Sequence, residues 1–189
     1  MKAKLRLQHG LTIAGMILAL QFGALAPSSA AGFAECVGDA AARDFEAKKE
    51  FQAALRDLIV RHRPEFESLA SLNMELQIAY AQMRKAKFRY LLKHIPARIR
   101  TDGGLSKFTN FEWTKEDSER FAGEDAGYRQ LEQRKAKLAK ANNGHPDWPK
   151  LREYFHGELG QRPEFGALIK RFQGLQKEVG DLIAGCPRP

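Results

Sequence analysis

Apolar residues recur every three or four positions along most of the chain beyond residue 36, which is the period of an amphipathic helix. Alternation of apolar and polar residues is nearly absent, and β-branched residues are few, so strands are not favoured. We therefore predict an all-α protein. Its helical segments are predicted at residues 37–61, 64–95, 115–141, a short segment from 147 or 148, and 163–184.

Capping residues and prolines mark where these helices begin. Thr114 is a good N-cap, and acids follow it at the positive end of the helix dipole. Pro64 and Pro163 each suit a first helical turn, where the missing amide has no partner to lose. Both prolines stand in the same stretch, RPEF, at residues 63–66 and 162–165. We interpret this echo as two similar helix starts rather than as a duplicated unit.

The lengths of the helical segments predict how they assemble. The second and third segments are long and joined by one loop, so they should form an antiparallel hairpin. The first and last segments are somewhat shorter and should lie side by side. We predict an antiparallel helical bundle of about four long helices with one short extra helix. The connection at residues 62–64 is either a sharp reversal or a kink in one long rod.

The two cysteines, Cys36 and Cys186, stand near the ends of the predicted helical region. In an oxidising compartment such a pair usually forms a disulfide. Closing so long a loop would stabilise the fold by about 4 to 5 kcal/mol in the chain-entropy model. The alternative is a redox pair, but catalytic thiols typically lie close together as CxxC. We predict a structural bridge that joins the N- and C-terminal ends.

The N-terminal residues have the pattern of an export signal. Three basic residues precede an apolar run at residues 11–26, and small residues follow at 28–30. The alternative is a retained membrane anchor, but the run is shorter than the roughly 20 residues that a spanning helix needs. We predict a cleaved signal peptide at residues 1–30, a single helical domain at residues 31–189, and a periplasmic or secreted location.

The balance of charge favours anionic partners. The predicted signal contains three of the 31 Lys and Arg and none of the 23 acids, so its removal lowers the net charge from +8 to +5. A mildly basic surface suits an acidic protein, an anionic polymer or lipid headgroups. Nucleic acid is not expected as a partner outside the cytoplasm. The charge does not predict the oligomeric state.

The basic residues are concentrated in one segment. Residues 84–100 carry seven Lys or Arg and no acid, whereas residues 111–125 carry six acids and two basic residues. Because the predicted hairpin brings these segments together, we expect the basic stretch to face largely its own neighbour. The remaining charge predicts a face for an anionic partner. The candidate binding residues are Arg84, Lys85, Arg89, Lys93, Arg98 and Arg100.

Arg84 differs from the other candidates because it lies within the apolar arc of its helix. One interpretation places it in an arginine-lined pocket of a small enzyme. We favour the other, in which Arg84 forms a buried or half-buried ion pair with an acid of the third segment.

The sequence lacks the motifs of the common catalytic and metal sites, including HExxH, CxxCH, GxSxG, GxxxxGK and GxGxxG. We predict no metal site and no cofactor. The predicted function is an exported, non-catalytic binding or interaction protein of the chaperone, inhibitor or adaptor type. The alternatives are a small all-helical exported enzyme acting on an anionic substrate in an arginine-lined bundle pocket, and a helical protein associated with a membrane surface.

Overall fold

The computed structural model describes residues 29–187. Within that range the chain is all-helical, as predicted, with seven α-helices and no strand. The helices are α1 (Ser29–His62), α2 (Glu67–His94), α3 (Gly104–Thr109), α4 (Lys115–Glu124), α5 (Ala126–Asn143), α6 (Trp148–His156) and α7 (Pro163–Ala184). The predicted signal peptide, apart from its last two residues, lies outside the described residues.

The first two helices, α1 and α2, form an antiparallel hairpin. α1 ends at His62, and Pro64 opens the short 3-10 turn Pro64–Phe66 that leads directly into α2. Phe66 then packs in one apolar cluster with Leu58 near the end of α1. The connection at residues 62–64 is therefore a reversal and not a kink in one rod.

The last helix, α7, also packs along α1 and runs antiparallel to it. Cys36 near the start of α1 forms a disulfide with Cys186, just beyond the end of α7. Farther along the pair, Phe51 of α1 stacks on Phe172 of α7 with ring centroids 4.4 Å apart. The predicted disulfide is confirmed, and it fastens the beginning of the first helix to the end of the last.

The helix α5 packs against α2, so the long helices contact one another in the order α7, α1, α2, α5. Tyr128 near the start of α5 shares an apolar cluster with Met83, in the second half of α2. Farther along α5, Arg134 pairs with Glu75, nearer the start of α2. These contacts show that α2 and α5 run in opposite directions.

The third predicted segment is not one continuous helix, because it is divided into α4 and α5 at Asp125. The backbone of Asp125 is extended, with φ −125° and ψ 105°. Its carboxylate accepts a hydrogen bond of 2.9 Å from the amide of Tyr128, which caps the start of α5. At the start of α4, Thr114 and Asp117 form a reciprocal capping box, which confirms the predicted N-cap.

Within the part of the chain that the structure describes, the buried apolar side chains form three clusters, and a short helix contributes to each. At the disulfide end, Phe88 of α2 stacks on Phe108 of α3 with centroids 4.3 Å apart. At the opposite end, Tyr154 of α6 packs near Phe66. The third cluster joins α2 to α4 and α5 around Tyr128. In residues 29–187 none of the helices combines the length and the apolarity that crossing a bilayer requires.

The two RPEF stretches lie at the same end of the molecule. Pro64 opens the turn before α2, and Pro163 is the first residue of α7. Arg63 and Arg162, which precede these prolines, both approach the carboxylate of Glu158, at 3.5 and 3.9 Å. The repeated sequence thus begins two helices that start side by side and share one acidic neighbour.

Candidate anion-binding groove

The six predicted binding residues do not form one surface. Arg98 and Arg100 lie beyond the end of α2, where each meets an acid. Nη1 of Arg98 lies 2.6 Å from the carboxylate of Asp117, and Nη2 of Arg100 lies 3.1 Å from that of Asp102. Both guanidinium groups are therefore compensated within the chain.

The pair between Arg98 and Asp117 is a contact between the basic stretch and the acidic segment. Asp117 is only 6% exposed. Its burial opposes ionisation, but hydrogen bonds from Thr114 and Arg98 outweigh that effect and hold the pKa of this carboxyl below its ordinary value. The expected internal pairing is observed at this position.

Lys85, Arg89 and Lys93 form a stripe along α2, because residues four apart lie on one side of a helix. The stripe borders two adjoining grooves of about 200 and 310 Å³ beside the junction of α4 and α5. Asp125 lines both grooves and Glu124 lines the smaller one, and Asp125 lies 3.8 Å from Arg89. The stripe is therefore partly neutralised by the acidic segment.

Arg84 pairs with an acid, but the acid lies on α1 and not on the third segment, so that part of the prediction is wrong. Nη1 of Arg84 lies 3.7 Å from Asp44, which is 3% exposed. Asp44 also accepts hydrogen bonds from Lys48, at 2.5 and 2.6 Å, and from Gln176 at 3.2 Å. Because Lys48 holds this carboxylate more closely, Arg84 contributes only a secondary interaction.

Arg84 also lines a groove of about 400 Å³ between α2, α5 and residues 109–113. Lys87 of α2 and Lys135 of α5 line the same groove, so three cations converge there. None of the described residues that line it is an Asp or a Glu. The larger groove therefore differs in charge from the two beside the stripe.

The two lysines of this groove lie over aromatic rings. Nζ of Lys87 is 4.6 Å from the ring centroid of Trp113, and Nζ of Lys135 is 5.9 Å from that of Tyr80. Burial lowers the pKa of Lys87, and the positive charge of Lys135 lowers it further, against a smaller opposing effect of Glu132. The surroundings of Lys87 thus disfavour its charged form, and a bound anion would stabilise that form.

Sequence reasoning did not identify Lys87 or Lys135 as binding residues. The two are far apart in the chain and lie on different helices, and only the register of α5 against α2 brings them together. Of the residues that line this groove, the sequence singled out Arg84 alone as a candidate, on the ground that it interrupts an apolar arc.

The groove presents cations, aromatic rings and amide side chains, a set suited to holding an anionic group. No histidine or carboxylate is among its described lining residues. Within residues 29–187 no cluster of three His, Cys, Asp or Glu side chains is arranged to hold a metal ion. The chain matches no protein-family model, no curated protein and no solved structure.

Proposed function

We propose that the protein is an exported, non-catalytic binding protein, built on an antiparallel bundle of its four long helices, that holds an anionic segment of a partner between α2 and α5. The observation that carries this proposal is the convergence of Arg84, Lys87 and Lys135 on a groove that no described carboxylate lines. Like charges held close together repel one another, and a bound anion replaces that repulsion by attraction.

Export is supported by two independent features. Residues 1–30 have the pattern of a signal peptide, and Cys36 and Cys186 form a disulfide, a bond that persists in oxidising compartments. A periplasmic or secreted location follows from this proposal.

Binding is favoured over catalysis by the lining of the groove. Arg84 does line a groove, as the enzyme alternative requires, but no Asp, Glu or His is among the described residues that line that groove.

The surface of a membrane is disfavoured as the partner by the arrangement of charge on α2. Lys85, Arg89 and Lys93 of the stripe lie on one side of α2, and the cations of the groove lie on another side. A helix that binds headgroups usually has its cations on one face.

The test is calorimetric titration of the purified protein with polyglutamate and with polyphosphate. The double variant K87Q/K135Q should bind either anion at least about tenfold more weakly, because two charged contacts are lost. The matched control is K137Q/K170Q, which removes the same charge at exposed positions outside this groove and should bind nearly as well as the parent protein. Equal weakening in both variants would mean that anions bind to general surface charge, and no binding by the parent protein would refute the proposal.

A further inference from the structure

We infer that the segment held in this groove is an acidic peptide with apolar side chains beside its carboxylates, and not a phosphate-bearing polymer or a lipid headgroup. The inference rests on the proposed function and narrows it to one class of partner. Three properties of the groove support it: its apolar walls, its amide groups and its length.

The walls of the groove are apolar. Met83, Phe111 and Trp113 line it together with Tyr80. Tyr80 is 45% exposed and is the one large hydrophobic residue with such exposure among those that the structure describes. A phosphate polymer is polar along its length and would leave the exposed part of Tyr80 in water, whereas a leucine or phenylalanine side chain of a peptide would pack against it.

The groove also carries groups that match a peptide backbone. Gln77 and Asn110, which carry side-chain amides, are among the residues that line it. An amide both donates and accepts hydrogen bonds, so it can pair with the N–H and the C=O groups of an extended peptide. A phosphodiester offers acceptors only, and half of this hydrogen-bonding capacity would be unused.

The length of the groove sets the length of the segment. Its lining on α2 extends from Gln77 to Lys87, which is about 15 Å at the helical rise of about 1.5 Å per residue. An extended peptide covers that distance with about four to five residues. The three cations within this span can pair with two or three carboxylates of the bound peptide. An apolar residue of the same peptide would then lie against Tyr80.

The protein's own N-terminal segment lacks the complementary charge. Residues 1–28 contain no Asp or Glu and include three basic residues. Charge complementarity therefore favours a segment of another protein over this part of the chain.

Fluorescence anisotropy with two labelled peptides of equal length and equal negative charge tests the inference. One carries Leu and Phe between its glutamates, and the other carries Ser at those positions. The parent protein should bind the apolar acidic peptide at least about tenfold more tightly, which corresponds to about 1.4 kcal/mol. In the variant Y80S this preference should largely disappear, and in Y80F it should persist because the ring is retained.

Competition with polyphosphate and with vesicles of phosphatidylglycerol separates the other partners. If either displaces the apolar acidic peptide as effectively as unlabelled peptide does, or if the two peptides bind equally, the inference is overturned and the proposed function stands. If none of the probes binds, both are overturned. The indole N–H of Trp113 is bonded to Ser118, so the NMR shifts of its carbon-bound ring protons give the second readout in the parent protein, and shifts that the peptide leaves unchanged would also count against the inference.

Discussion

Replacing Asp117 by Asn tests whether the basic stretch is held by the acidic start of α4. In the parent structure the carboxylate accepts hydrogen bonds from the backbone amide of Thr114, at 3.0 Å, and from Arg98, at 2.6 Å. The asparagine side chain has a similar shape and can still accept the bond from Thr114. The substitution therefore removes mainly the negative charge that faces Arg98 and the N-terminus of α4.

The expected loss of stability follows from these two interactions. A hydrogen bond to a charged group contributes about 1.5 to 3 kcal/mol, and a negative charge at a helix N-terminus about 0.3 to 1 kcal/mol. The side chain of Arg98 is 30% exposed and can regain contact with water, which reduces the first value. We expect D117N to lower the free energy of unfolding by about 2 kcal/mol, or the melting temperature by roughly 4 to 8 °C.

The effect of D117N should depend on pH in a defined direction. The pKa of Asp117 is lower in the folded protein than in the unfolded chain, where it is about 3.9. The stability that this carboxylate contributes is complete above that unfolded pKa and is lost as the pH falls through the folded value. The difference between D117N and the parent protein should therefore be largest near neutral pH and should shrink below about pH 4.

Urea unfolding monitored by circular dichroism, repeated across this pH range, measures both effects. The matched control is E119Q, which removes an exposed acid of the same helix whose partner is Lys115 at i−4. Such a pair contributes about 0 to 1 kcal/mol, so E119Q should be nearly neutral. If D117N is no less stable than E119Q at neutral pH, the pair between Arg98 and Asp117 does not hold these segments together.

Three further predictions follow from the fold. Replacing Cys36 and Cys186 by Ser should lower the free energy of unfolding by about 5 kcal/mol in the chain-entropy model, because the bridged residues are 150 positions apart; urea unfolding measures this, and a loss below about 1 kcal/mol would contradict it. Burial raises the pKa of Tyr128 to about 12, so the folded protein keeps this phenolic proton longer than the unfolded chain does, and stability should fall as the pH rises from about 10 to about 12. Ultraviolet difference absorbance of the parent protein against Y128F follows that ionisation, and a midpoint near the ordinary value would show the reasoning to be wrong. Replacing Asp44 by Ala should lower the free energy of unfolding by about 2 to 3 kcal/mol, because the half-buried Lys48 loses its closest partner. An unchanged melting temperature would show that the pair between Asp44 and Lys48 does not stabilise the fold.

Much of the local structure could be predicted from the sequence because it depends on short-range chemistry. The helix starts at Thr114 and Pro163 depend on capping and on the fixed geometry of proline, and they are where these rules place them. The prediction of one continuous segment did not use the signal at Asp125, which is a good N-cap and lies between Gly123 and Gly127, both poor helix formers. The cause of the break is also local, because the carboxylate of Asp125 accepts a hydrogen bond from the amide of Tyr128.

The candidate groove could not be predicted in the same way. Arg84 was identified because it interrupts an apolar arc, but its partner Asp44 lies on α1, and only the packing of α1 against α2 decides that contact. Lys87 and Lys135 meet because of the register between α2 and α5, which no spacing in the sequence encodes. Helix periodicity predicts which side of a helix is apolar, but the position of each neighbour along it depends on the packing of the whole core.

We propose that Arg84, Lys87 and Lys135 form a groove whose positive charge is relieved by an anionic partner. NMR titration of isotope-labelled lysine side chains measures the pKa of Lys87 in the free protein and in the presence of saturating acidic peptide. We expect a pKa of Lys87 below the ordinary lysine value of about 10.4 in the free protein, and a rise of that pKa when the peptide binds. An ordinary pKa that the peptide leaves unchanged would contradict it.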